Sequence, residues 1–233
     1  MKILLHKIRK KFKISISKSY VYHLLKNNKL TYKRIKEDHY PHDELKLMNQ
    51  KIEVMQKLDA VNRDVISIDE SSIVIGKKSN YGWSEKGKEC VIKNKHGSHF
   101  KFSLILAMSN KKIIGYSLRK GAFNASTFRK FMRTKVLKNK NNNQKCFMDN
   151  ARIHHAKILE KSIKDEIIYN VPYYSKFNPI EMLFNTLKQY LSKININCFV
   201  TLNKHIKLFL DSVNNEKLKH YFDKAFGMLY EQN

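Results

Sequence analysis

Acidic residues are missing from the first 36 positions of this chain, where twelve lysines and arginines stand. A compositional drift toward lysine, isoleucine and asparagine explains part of a basic excess. Drift alone rarely empties a stretch of one sign so completely. The whole chain carries 46 basic and 20 acidic residues, a formal charge of +26. Such a field attracts polyanions and favours contact with nucleic acid. Cysteine is scarce: Cys90, Cys146 and Cys198 are far apart and odd in number. Without a C-x-x-C pair, neither a structural zinc site nor a disulfide framework is expected, and a reducing compartment suits the chain. The apolar run at the start (MKILLHKIRKKF) is too short for a signal peptide, and no stretch approaches the roughly 20 apolar residues of a membrane span. A DNA-associated, intracellular protein with no membrane partner is the expectation. Aromatic residues interleaved with basic ones, as in single-strand RNA platforms, are absent too, which ranks an RNA-binding role last.

What is present divides the chain in three. Residues 1–42 form the first part: 1–30 read as two short helices broken by Ile14-Ser-Ile-Ser-Lys-Ser19, with Ser17 or Ser19 as cap of the second, and a polar, charged segment runs from Thr31 to His42. Two short helices, a polar turn and a dense basic coat suit a helix-turn-helix, with one helix in a groove and cations on phosphates. Residues 43–62 read as an amphipathic connecting helix with Leu45, Met48, Ile52, Met55 and Leu58 on its apolar stripe. From residue 63 to 233 the texture is that of strands first: VISIDESSIVI, a glycine-bearing hairpin at YGWSEKGKECVI, HFKFSLILAMS and KIIGYSLRKG. A helix from Asn124 to Leu137, the short strand CFMDN, a helix from Ala156 to Lys164, the strand EIIYNVP and helices from Asn178 onward follow. Hairpin-linked strands followed by strand–helix alternation imply a mixed sheet flanked by helices.

Three acids stand out by position. Asp69 interrupts an apolar strand after Ile68, and Asp149 closes a second one after Met148, so both are expected at strand C-terminal ends. An ionised carboxylate there is costly unless it is paired or binds a cation. Either aspartate alone could be a cap or a salt-bridge partner. Two on parallel neighbouring strands would share the crevice beyond the sheet edge. Glu181 follows Asn178 and Pro179 at the start of an amphipathic helix whose buried stripe is Ile180, Leu183, Phe184, Leu187 and Leu191. It is either the closing residue of a capping box begun by Asn178 or a third ligand at the border of core and solvent. Asp64, Asp165 and Glu166 read as solvated surface acids. Paired Mg²⁺ ions, which cleave phosphodiesters by clamping the attacking and leaving oxygens, need an oxygen-rich, water-accessible cluster of this type.

SIDESS, YGWSEKG, FMDNARIHHA and VPYYSKFNPIEMLFNTLK together resemble the DDE domain of the mariner superfamily of transposases, in its bacterial insertion-sequence branch. The likeness runs over roughly residues 64–195, and SKSYVYHLLKNNKLTYKR resembles the second helix-turn-helix of those proteins. The resemblance implies an α/β, RNase H-like mixed five-stranded sheet flanked by helices, preceded by a small helix-turn-helix segment. It implies that Asp69, Asp149 and Glu181 bind two Mg²⁺ (or Mn²⁺) ions and carry cut-and-paste transposition on double-stranded DNA, by a homodimer. Glu70 and Asn150 would orient a ligand or a water. His154 would touch the scissile phosphate or position a nucleophile, unless it is a surface histidine. Trp83 would pack in its hairpin or touch DNA, and Asn178 and Pro179 are structural. Lys18, Ser19, Tyr22, Lys33 and Arg34 would contact DNA.

Two departures accompany the likeness. The 31 residues between Asp149 and Glu181 are a few fewer than the family usually has. The first DNA-binding unit usual in the family does not precede the one seen here. A truncated or decayed transposase that binds DNA without catalysis therefore remains an alternative, as does an RNase H-fold nuclease with another role.

Overall fold

The apolar run after Asp64 forms the central strand of a five-stranded sheet in the computed structural model, which describes residues 2–31, 44–75, 87–89, 100–151, 154, 161–172 and 174–230. The hairpin at 81–92, Trp83, Lys33, Arg34 and most of the expected 156–164 helix lie largely or wholly outside the described residues. Two compact units are formed, residues 1–40 and 41–233.

In the first unit, helices α1 (Lys2–Phe12) and α2 (Lys18–Asn27) flank the ISIS break. Ser17 is the cap of α2: its hydroxyl accepts from the Tyr20 backbone N–H at 3.0 Å. Val21 is its one buried apolar side chain among the described residues, whereas Phe12, Tyr20, Tyr22, Leu24 and Leu30 are exposed.

The second unit is built on β1 (Val65–Ile75), β2 (Phe100–Met108), β3 (Ile113–Lys120), β4 (Lys145–Met148) and β5 (Ile167–Tyr169) in the order β3-β2-β1-β4-β5. β1, β2 and β3 form an antiparallel meander, and β4 and β5 add to β1 in parallel. Period-two alternation sends Val65, Ile73 and Ile75 to one face and Ile66 and Ile68 to the other, each into its own core cluster. The first face is covered by α3 (Glu44–Asp59), α6 (Ile180–Ser192), α7 (Phe199–Asp211) and α8 (Asn215–Tyr230). The second is covered by α4 (Ala125–Phe131), a π turn at Met132–Val136 that continues it, and the short α5 (Lys161–Lys164). α4 starts at a reciprocal cap, Asn124 and Thr127 each bonding the other's backbone N–H.

α6 buries Ile180, Leu183, Phe184, Leu187 and Leu191, the stripe expected from its spacing. Each such side chain contributes about 1.5–3 kcal/mol on burial. α3 differs from expectation. It buries Leu47, Val54 and Leu58 in the core of the second unit, while Leu45, Met48 and Ile52 are exposed. The helix carries two apolar stripes, and the one that meets the sheet is offset from the one the sequence favours. Arg63 and Tyr230 both bond Asp59 Oδ1, at 3.0 and 2.6 Å, which ties the end of α8 to the end of α3.

Candidate active site

Asp69 is the fifth residue of β1, an eleven-residue strand, rather than its C-terminal residue. β1 runs on because its pairing with β2 reaches Ile75, whereas β4 accompanies it only from Val65 to Ser67. Asp149 directly follows β4. Continuing the parallel register of Ser67 with Phe147 by two residues sets Asp69 level with Asp149 on the neighbouring strand. Side-chain alternation then sends both to the face that α6 covers. The end that matters is that of β4, beyond which Asp69 has no paired parallel neighbour.

The electrostatics agree with this placement. Burial, together with the charges of Asp149 and Glu181, pushes the Asp69 carboxyl up to about 7, despite a 2.6 Å bond donated to its Oδ1 by the Glu70 N–H. Glu181 is raised by burial and by Asp149, although Lys188 pulls it down. The three acids thus lie within one another's fields. A carboxylate cluster that resists ionisation is one a cation would relieve.

Glu181 does not close a capping box. α6 begins at Ile180 with Pro179 before it, and Pro179 makes no side-chain cap bond. Asn178, the expected cap, turns its side chain toward β1 instead. Its Oδ1 accepts from the Ser67 hydroxyl, and its Nδ2 stands 3.5 Å from Asp69 Oδ2.

On the Asp149 side the organising group is His154. It is 2% exposed, so it is no surface histidine, and it packs on the Phe128 ring at 4.6 Å between centroids. Its Nδ1 lies 3.0 Å from Asp149 Oδ1 and 3.1 Å from the Asp149 carbonyl oxygen, which assigns the Nδ1 proton to Asp149. Its Nε2 lies 4.0 Å from Glu70 Oε1, an atom buried without a hydrogen-bond partner among the described residues. Burial alone would lower the His154 pKa, but the bonds to Asp149 and the charges of Asp149 and Glu70 outweigh it and hold the imidazole above its ordinary value. Glu70 itself is raised, chiefly by burial. Beside Asp149 and Asn150 opens a cleft of about 470 Å³, walled on the far side by Asn170, Tyr174 and Ser175.

Among the described residues, no three His, Cys, Asp or Glu side chains already form a set that could hold a metal ion. Mg²⁺ does not require one: it keeps several waters and binds through one or two carboxylates and substrate phosphates. Asp69 and Asp149 fit that demand, as hard oxygen donors of like charge, one largely buried and one half-exposed.

The remaining sequence candidates are scattered. Lys18, Ser19 and Tyr22 are exposed on α2 in the first unit, with Lys26 Nζ 5.7 Å over the Tyr22 ring. Asp64 accepts from Gln144 Nε2 at 2.6 Å, and Glu166 pairs with Lys140 at 3.0 Å, so neither is simply a solvated acid. Ser67 opens the SIDESS motif and packs β1 on α6, yet its place in the motif assigns it no role. Its one signal is that of a small polar residue between two buried isoleucines.

Among the described residues no helix is long and apolar enough to cross a membrane. No curated protein sequence matches the chain. Among solved structures, the fold is similar to the Mos1 transposase paired-end complex with left transposon end, at a TM-score of 0.72 and 15% identity over 96% of this chain and 71% of that one. It is likewise similar to the Mos1 strand transfer complex, at 0.73 and 15% over 95% and 70%. The mariner Mos1 paired end complex with Mg follows at 0.70 and 16% over 97% and 74%. These likenesses establish the expected RNase H-like fold, a mixed five-stranded sheet flanked by helices. The family model for the DDE superfamily endonuclease matches residues 64–203, more than half of the chain, and the chain belongs to that family.

Proposed function

We propose that this DDE endonuclease is a transposase of the mariner superfamily, in its bacterial insertion-sequence branch, that cleaves double-stranded DNA and joins the cut ends to a target. The observation that carries the proposal is that Asp149 directly follows β4, the parallel neighbour of the strand that holds Asp69, and that its charge and that of Glu181 help to raise the Asp69 carboxyl. Asp69, Asp149 and Glu181 would hold two Mg²⁺ or Mn²⁺ ions. When bound, such ions polarise the scissile phosphodiester and lower the pKa of an attacking water. A Mos1 complex solved with Mg supports this choice of ion.

The chain's own residues prepare the site. The Glu70 N–H holds Oδ1 of Asp69, and His154 holds Oδ1 of Asp149, which orients both carboxylates. Glu70 sits behind His154 and favours its charged form; Asn150 lines the cleft through which a DNA strand would reach Asp149. The burial of His154 supports a role in holding Asp149 rather than in touching a phosphate. Lys18, Ser19, Tyr22, Lys33 and Arg34 would contact the DNA backbone and its groove, in a homodimer on paired ends.

A second reading is a decayed transposase that binds DNA without cutting it, which the short interval between Asp149 and Glu181 allows. Supercoiled plasmid incubated with the purified chain in Mg²⁺ or Mn²⁺ decides between them. Nicking that requires the metal supports the transposase. Binding with no nicking, even on DNA carrying the chain's own element ends, supports the decayed form.

A further inference from the structure

We infer that Ser67 and Asn178 form a buried positioning relay that sets Asp69 and the start of α6 at one fixed spacing, and so tunes metal binding at the site. This rests on the assignment of Asp69, Asp149 and Glu181 to a metal centre. Both residues are almost wholly buried, at 0% and 1% exposed. The Ile180 N–H, in the first turn of α6, donates to Ser67 Oγ at 3.3 Å. With its oxygen accepting there, the Ser67 hydroxyl donates its proton to Asn178 Oδ1. That bond orients the amide, because a flipped Asn178 would oppose two acceptors at Asp69. The remaining amide donor, Nδ2, points at Asp69 Oδ2 from 3.5 Å. Every proton in the chain runs one way, from the helix start to the carboxylate.

The backbone of Asn178 extends the relay to the third acid: its carbonyl accepts from the Glu181 N–H at 3.2 Å. One residue therefore bonds the side chain of Asp69 and the backbone of Glu181, which belong to elements distant in sequence. A buried polar pair inside an apolar layer is costly unless all of its groups are satisfied, and these are satisfied by each other and by the site. Asparagine three residues before Glu181 is there to hold Asp69, not to cap α6. Partners that orient metal ligands typically set metal affinity.

Mn²⁺ binding to the full chain without DNA, read by electron paramagnetic resonance of the free ion, tests the relay. The variant is Ser67→Ala/Asn178→Leu, in which both polar partners become apolar side chains of similar size; the Ile180 N–H loses its acceptor, so some loss of stability accompanies the change. Ser67→Thr, which keeps the hydroxyl, is the rescue control, and thermal melting without metal reports folding. The expected result is an Mn²⁺ affinity about 10–100-fold weaker in the double variant, which stays folded at the temperature of the measurement, and close to that of the parent in Ser67→Thr. Parental affinity in the double variant, while Asp149→Ala loses binding, overturns the relay alone. A parent that binds no Mn²⁺, or an Asp149→Ala variant that binds as well as the parent, overturns the metal centre and the relay with it.

Discussion

The two compact units of this chain are held together by different means. Residues 1–40 bury Val21 and leave six large apolar side chains exposed among their described positions, and they hold no acid before Glu37. Residues 41–233 pack two core clusters on either side of a sheet, and their site acids stand at the edge of one of them. A thin basic unit is suited to gaining order and energy from a polyanion, whereas a unit with a deep core can hold carboxylates against their mutual repulsion. Cationic surface can be added at little cost in stability. A carboxylate cluster needs a rigid frame behind it.

Changes to the two units should therefore differ in kind. The largest effect is expected for Asp149→Ala, which should cut metal-dependent nicking by about 10³-fold or more, since the ions supply several kcal/mol at 1.36 kcal/mol per decade. Mobility-shift affinity for DNA should be retained or raised, because a negative charge is removed. Next, Phe184→Ala on α6 should cost about 3–5 kcal/mol in denaturant unfolding, and Leu24→Ala in the first unit less than about 0.5 kcal/mol. Equal costs would remove the contrast between the units.

A third effect is pH-dependent. The Asp69 carboxyl titrates near 7 when folded, against 3.8 for the ordinary group. The folded state therefore binds the extra proton between those values, so stability of the metal-free protein falls as pH rises through that window. Mg²⁺ relieves the ionised form, so the rise in melting temperature on adding Mg²⁺ should be larger at pH 8 than at pH 5. An equal rise at both would separate Asp69 from the metal. The smallest effect concerns the first unit: replacing Lys18, Lys33 and Arg34 with alanine should flatten the salt dependence of DNA binding by about 0.9 slope units for each phosphate left without its cation. An unchanged slope would mean that these residues do not face DNA.

Much of the second unit was legible because its signals are local. The stripe of α6 follows from spacing alone, and the run VISIDESSIVI reads as a strand at once. Other features depend on partners distant in sequence. Asp69 lies mid-strand because β2 extends β1 past the end of β4, a length no single strand announces. α3 has two apolar stripes of similar spacing, and only the shape of the sheet selects Leu47, Val54 and Leu58. Asn178 has every local mark of a helix cap, but Ser67, 111 positions earlier, claims its side chain. His154 reads as a lone polar residue until Phe128 and Asp149 enclose it.

The central claim is that a divalent cation sits between Asp69 and Asp149. Fe²⁺ with ascorbate and peroxide cuts a protein backbone beside the bound ion, and the fragments can be mapped by mass spectrometry. The account predicts cuts next to residues 69 and 149 that Mg²⁺ suppresses and Asp149→Ala abolishes. Metal-dependent nicking by a chain whose Fe²⁺ cuts fall elsewhere would contradict it.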